Sequence, residues 1–273
     1  MADTFYIHKA QMLTPEFRSA TFWNPLEQDD GLVLSGVLDN IKEGGKSSSK
    51  EKSDGSAAQT TISFSVIAPF TSGTITAYIC KHVENHIPCT WSVVFDPLEF
   101  SQDGYSAKSW VSTGCLLILG HDQPVTEDVF EDIKNYLKAG GRVVYWGNIA
   151  PDANSQYELI GARQKGTLDN VADSFVYPTD SSSKRAGSLT SGLINGVREF
   201  KPIGKLSIYS SLDSSCHSLL TGKAGKVATP VAWVKNFGKG KLFYSSLSEE
   251  SDWLCDDCMT LMLNSISWAA KRD

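Results

Sequence analysis

The 273-residue chain has no apolar run near the ~18 residues that cross a bilayer; stretches such as Leu116–Leu119 fall far short. It has no basic run either, and a net charge of −6 gives no electrostatic reason to bind nucleic acid or an anionic membrane surface. Met1-Ala2-Asp3-Thr4 has no basic segment followed by an apolar core, so no secretory signal is expected. A P-loop is missing: Gly238-Lys239-Gly240-Lys241 is too short a glycine frame and leads into a strand, which makes it a hairpin turn. Cys255-Asp256-Asp257-Cys258 has no second Cys/His pair at ligand spacing, so half a zinc site stays half a site. The six cysteines (Cys80, Cys89, Cys115, Cys216, Cys255 and Cys258) mostly lie in apolar or periodic segments. That fits reduced, buried thiols in the cytosol or nucleus better than a disulfide framework. No metal and no cofactor is expected.

The chain does have enough apolar residue, 41% against 21% charged, to bury a sizeable core. Residues 1–41 are too few for a domain of their own and read as a β-rich extension packing on the core domain, with short strands at Thr21-Phe22-Trp23 and Leu32-Val33-Leu34. Residues 42–59, a Gly/Ser/Lys/Glu tract without aromatic or β-branched residues, cannot offset their ordering entropy and read as a flexible linker. Residues 60–273 then form one α/β domain.

In that domain strands and helices alternate. Ile62–Ala68, Thr90–Phe95, Cys115–Leu119 and Arg142–Trp146 are β-branched or apolar runs that read as buried strands. A helical spacing runs from Ile75 to His86, and Val129, Phe130, Ile133, Tyr136 and Leu137 share one face of a second helix. Gly140-Gly141 supplies its left-handed C-cap. This order predicts a mostly parallel, doubly wound sheet. The second half is less regular, with Ser181–Gly187 as a surface loop. Leu206–Tyr209, Val231–Val234 and Lys241–Ser245 read as strands, and a closing helix carries Leu254, Cys258, Leu261, Met262, Ser265, Ile266 and Ala269 on one face.

The fourth strand ends at Gly147, followed by Asn148-Ile149-Ala150-Pro151, where α/β folds place their chemistry. A catalytic thiol needs a sharp turn of this kind. Here the apex is Ile149, which cannot attack anything; Asn148 is polar but displaced. Gly114–Gly120, Gly140-Gly141-Arg142-Val143, Gly238–Lys241 and the preceding Lys108–Thr113 segment together resemble the amidotransferase-like amino-terminal domain of eukaryotic biotin protein ligases. The resemblance spans roughly residues 60–268; residues 1–59 match nothing. It implies a class I glutamine amidotransferase-like (flavodoxin-like) fold. It also puts Ile149 at the position of the catalytic Cys, Ser248 at that of the His and Glu250 at that of the Glu. A thiolate–imidazole mechanism cannot run on that set. The resemblance therefore implies a non-catalytic recognition or regulatory domain, with the biotin ligase catalytic domain or an acceptor carboxylase as its protein partner.

ThuA-like domains of sugar metabolism are similar in fold and in the glycine hairpin, and offer the alternative of a small-molecule hydrolase or binding protein. On that reading Gly120, His121, Asp122, Gly147, Asn148 and Ser246, or Ser248 in its place, line a pocket at the carboxyl ends of the strands. His121-Asp122 could form an acid–base pair, although adjacent residues rarely face each other in a turn and a loop or capping role is the plainer reading. His82 and His86, one helical turn apart, have metal-binding spacing but no third ligand, which favours a solvated face. For Cys255 and Cys258 the flanking carboxylates are expected to raise both thiol pKa values, which favours packing over redox chemistry. A scaffold domain in a larger assembly is the further alternative.

Overall fold

A computed structural model of the chain describes residues 62–68, 73–95, 114–120, 127–147, 153–168, 173–179, 190 and 192–270. The expected extension (1–41), the linker (42–59) and the Ser181–Gly187 loop lie outside these residues. The first half runs β1 (Ile62–Ala68), α1 (Gly73–His86), β2 (Cys89–Phe95), β3 (Cys115–Gly120), α2 (Glu127–Lys138), β4 (Arg142–Gly147) and α3 (Ala153–Ile160). Next come β5 (Gln164–Leu168), β6 (Ser174–Pro178), β7 (Leu206–Tyr209), β8 (Cys216–Ala224), β9 (Val227–Phe237) and β10 (Gly240–Ser245). Two helices, α4 (Glu250–Trp253) and α5 (Asp256–Ala270), complete the order.

The main sheet has the strand order β2-β1-β3-β4-β10-β9-β8-β6. Its first five strands are parallel, the winding pattern of flavodoxin-like proteins. Strands β9, β8 and β6 extend it antiparallel, and β5 pairs with β7 in a separate two-stranded sheet. The expected mostly parallel α/β architecture is present, with an antiparallel wing inserted between the fourth and fifth parallel strands.

Both faces of the sheet are covered, and the strand residues alternate between two cores. Cys115, Leu117 and Leu119 of β3, with Val144 and Trp146 of β4, face α1 and α5 through Ile79, Cys80, Val83, Leu261 and Met262. Leu116, Ile118, Val143 and Tyr145 face the other way, onto Val129, Phe130, Ile133 and Leu137 of α2 and Leu159 and Ile160 of α3. A strand buried on both faces has no polar face to show, which is why these segments read as continuous apolar runs. In α5, Cys258, Leu261, Met262, Ser265, Ile266 and Ala269 are buried as expected, while Leu254 falls at the C-cap of α4.

The glycines at the amino edge of the sheet have structural work. Gly140 has φ +105°, its N–H donates to the Leu137 carbonyl, and the Gly141 N–H donates to the Tyr136 carbonyl. This is the Schellman arrangement that closes α2. Gly238 (φ +60°) and Lys239 form the two-residue loop of the β9–β10 hairpin. A Cβ on Gly240 would lie 2.4 Å from the carbonyl oxygens of Gly141 and Leu137, so the hairpin seats directly on the end of α2.

Candidate functional site at the carboxyl edge of the sheet

In this strand order the chain reverses its winding direction between β1 and β3, and ligands of open α/β sheets bind at the carboxyl ends beside that reversal. These ends are Ala68, Gly120, Gly147 and Ser245. His121, Asp122, Asn148 and Ile149, which the sequence puts at this edge, lie outside the described residues. Gly120, Gly147, Ser246, Ser248 and Glu250 are described.

Gly120 and Gly147 are register partners at the ends of β3 and β4. Gly147 has φ +106°, and a Cβ there would sit 1.9 Å from the Gly120 carbonyl oxygen. Only glycine allows the two strand ends to touch backbone to backbone. The Gly147 carbonyl is held from beneath by the Tyr244 hydroxyl, which donates to it at 3.1 Å. The Tyr209 hydroxyl in turn donates to Tyr244 Oη at 2.8 Å. Burial pushes the Tyr209 phenol up to about 12 and the Tyr244 phenol further, so both keep their protons at neutral pH and serve as fixed donors. Trp146, just before the turn, buries an indole N–H that has no hydrogen-bond partner among the described residues.

The segment leaving β10 is drawn inward. The Ser246 N–H and hydroxyl both donate to the Val231 carbonyl, at 2.8 and 3.2 Å, and Ser246 is 2% exposed. Its hydroxyl is thus committed to β9. Ser248, at the position the resemblance gives to an imidazole, is buried, and Glu250 opens α4. The Leu247 carbonyl accepts from the Trp253 indole at 2.8 Å, which folds α4 back on this turn.

Asp252 was not singled out by sequence reasoning, because nothing local separates it from its neighbours Glu249 and Glu250. It is 1% exposed and accepts the Ile203 N–H at 2.5 Å and the Gly204 N–H at 3.2 Å. Burial lifts its carboxyl above the usual range, against the pull of these two N–H donors. A Cβ on Gly204 would fall 2.0 Å from Glu249 Cγ, so the 203–204 segment lies tight against α4. Asp252→Ala should cost about 1–3 kcal/mol, because it leaves two backbone N–H groups without their acceptor. Because the folded pKa is raised, the native state holds this proton more tightly than the unfolded chain. Stability from this group therefore increases as pH falls through the folded value toward the ordinary carboxylate range. Urea midpoints of native and Asp252→Asn protein across that window check it: the acid-side gain should disappear in the variant.

The remaining sequence candidates separate. His82 and His86 lie on α1 with ring centroids 4.3 Å apart, and the His86 Nδ1 donates to the His82 carbonyl at 2.8 Å. Burial, then the neighbouring His86, holds the His82 imidazole below its usual range. Among the described residues no group of three or more His, Cys, Asp or Glu is placed to hold a metal ion, and no helix is long and apolar enough to cross a membrane. For Cys255 the sequence expectation is corrected. Its thiol is held below the usual range, because the Cys258 S–H and N–H donate to it and outweigh burial and the flanking Asp252 and Asp257. Cys258 does lie well above it, chiefly through burial.

No protein-family model matches the chain, and no curated protein does. Solved structures do. A ThuA-like protein from Bacteroides uniformis is similar at a TM-score of 0.59 and 12% identity, covering 80% of this chain and 95% of that one. A ThuA-like protein from Parabacteroides merdae gives a TM-score of 0.56 at 12% identity, covering 77% and 90%. A β-galactosidase from Bacillus circulans gives 0.50 at 10% identity, covering 76% of this chain and 31% of that one. These findings overturn the resemblance to biotin protein ligases. Two of the motifs that carried it, Gly140-Gly141 and Gly238–Lys241, are the helix cap and hairpin by which α2 and β10 meet, a local packing role that does not mark a family. The expected biotin ligase or carboxylase partner rests on that resemblance alone. What the chain shares with these structures is the fold of ThuA-like proteins.

Proposed function

We propose that the chain is a ThuA-like binding domain for small polyhydroxylated molecules of the sugar class, working without thiol–imidazole chemistry. What supports this reading is the fold likeness to the ThuA-like structures, together with a parallel strand order that reverses at β1/β3, beside which ligands of open α/β sheets bind. The likeness to 31% of a β-galactosidase makes sugars the first ligand class to test. The absence of an amidotransferase mechanism is supported by Ile149 and Ser248 at the Cys and His positions, and by a Ser246 hydroxyl already bound to Val231.

Thermal unfolding in a panel of mono- and disaccharides tests it. A ligand at ten times its Kd adds about 1.4 kcal/mol, which raises Tm by about 3–5 °C in a domain of this size. At least one sugar should do so, and chromogenic glycosides and glutamine should remain unhydrolysed. A panel with no shift at millimolar sugar sinks the ligand class, and turnover sinks the non-catalytic part.

A further inference from the structure

Cys255 occupies the N-cap of α5. Its carbonyl accepts the Met259 N–H at 2.9 Å, the first i to i+4 bond of the helix. Its sulfur accepts the Cys258 N–H at 3.2 Å, the bond an N-cap Ser or Asp oxygen ordinarily makes. Both cysteines are free thiols, and they differ in setting: Cys255 is half-buried, whereas Cys258 is fully buried and packs in the core against the sheet. A spacing of three residues across a first helical turn falls within the ~4.4–6.8 Å Cα separation a disulfide spans. The bond from the Cys258 N–H already holds the Cys255 sulfur against the residue it would join.

We propose that Cys255 and Cys258 are a redox-active dithiol that is oxidised to an intramolecular disulfide by exchange with low-molecular-weight disulfides of the glutathione class. The Cys255 thiolate attacks one sulfur of the small disulfide, whose S–S bond breaks and releases one thiolate, which takes up a proton. Cys258 then attacks the Cys255 sulfur, and its proton passes to the small thiolate that departs. The mixed disulfide breaks and so releases the second small thiol. Two protein thiols are oxidised and one small disulfide is reduced to two thiols, so electrons and protons balance. Cys258 needs no access to solvent, because it meets only Cys255.

The surroundings divide the two roles. The helix N-terminus and the two Cys258 donors favour negative charge on Cys255. Asp252 and Asp257 oppose it, and Asp257 is partly neutralised by Arg198, whose Nε lies 3.4 Å from its carboxylate. Across from α5, His82 of α1 feels Asp256. The half-buried Cys89 and Cys216 open strands rather than a helix, and burial pushes both up to about 11, in Cys216 against hydrogen bonds from Ser215 and the Asp213 backbone. They are the internal references for the experiment.

The folded protein is alkylated near neutral pH and the adducts are mapped by mass spectrometry, then the protein is equilibrated in glutathione buffers of increasing oxidation. Cys255 should alkylate at least ~10-fold faster than Cys89 and Cys216. Oxidised buffer should remove two hydrogens from the peptide carrying both cysteines. Cys258→Ser should instead accumulate a glutathione adduct on Cys255, and Cys255→Ser, which keeps an N-cap oxygen and hence the helix, should form neither product. Equal alkylation of the three half-buried thiols overturns the proposal. So does a native protein that stays a dithiol in oxidised buffer, or a Cys258→Ser protein without adduct. None of these readouts depends on sugar binding.

Discussion

Gly147→Ala is expected to leave the chain unfolded or destabilised by more than ~4 kcal/mol, at the far end of what single substitutions do. The backbone there has φ +106°, which an L-residue adopts only under strain of about 1–3 kcal/mol. The larger part is steric: the new Cβ would lie 1.9 Å from the Gly120 carbonyl oxygen. That atom is backbone at the end of a central strand, so it cannot rotate aside. Gly225→Ala separates the two contributions. Gly225 also has positive φ (+57°) but nothing within 4 Å of its Cβ position, so its alanine variant should lose only about 1–2 kcal/mol. Urea denaturation of both variants decides the matter. Similar losses for the two would mean that the strand ends are not in backbone contact.

Tyr244→Ala should be the next most damaging, at about 3–5 kcal/mol, the usual range for deleting a buried aromatic ring. The ring is fully buried, 4.6 Å from Trp233 and edge-on to Tyr209 between centroids. Tyr244→Phe isolates the hydroxyl. It keeps the packing but strips the donor from the Gly147 carbonyl and the acceptor from Tyr209, at about 1–3 kcal/mol. A phenylalanine variant with native stability would mean that the Gly147 carbonyl does not depend on this phenol.

Strands β3 and β4 were legible because they are buried on both faces. A run such as Cys115–Leu119 has no polar alternation to confuse with a half-exposed strand. Helix α2 was legible for the opposite reason, its apolar residues falling on a single face. Strands β5, β6 and β8 and helix α3 were not foreseen. Cys216–Ala224 mixes His217, Gly222 and Lys223 with its apolar residues and is a strand because β9 and β6 pair with it on either side. Ala153–Ile160 is short and weakly patterned. Its last carbonyls are satisfied from far along the chain, with the Trp233 indole on Ile160 and the Lys235 ammonium on Glu158, each at 2.7 Å.

The same holds for the site. The positions of Ser248 and Glu250 beyond the last parallel strand could be counted off from the glycine hairpin. The grip of Asp252 on Ile203 and Gly204, and of Tyr244 on Gly147, joins residues that no local pattern connects. Cys255 shows how a local reading goes astray. Its neighbouring carboxylates are visible in the sequence, whereas the bond from the Cys258 N–H to its sulfur forms only once α5 begins one residue later.

Strand β10 lies between β4 and β9, with the whole run from Ala153 to Phe237 intervening between it and its parallel neighbour. On the ribosome, therefore, the nascent sheet waits with an open seam at its centre. β4 keeps one edge unpaired until Lys241–Ser245 has emerged to zip the two halves together. A stop codon anywhere upstream of that strand would take out the keystone rather than trim a margin.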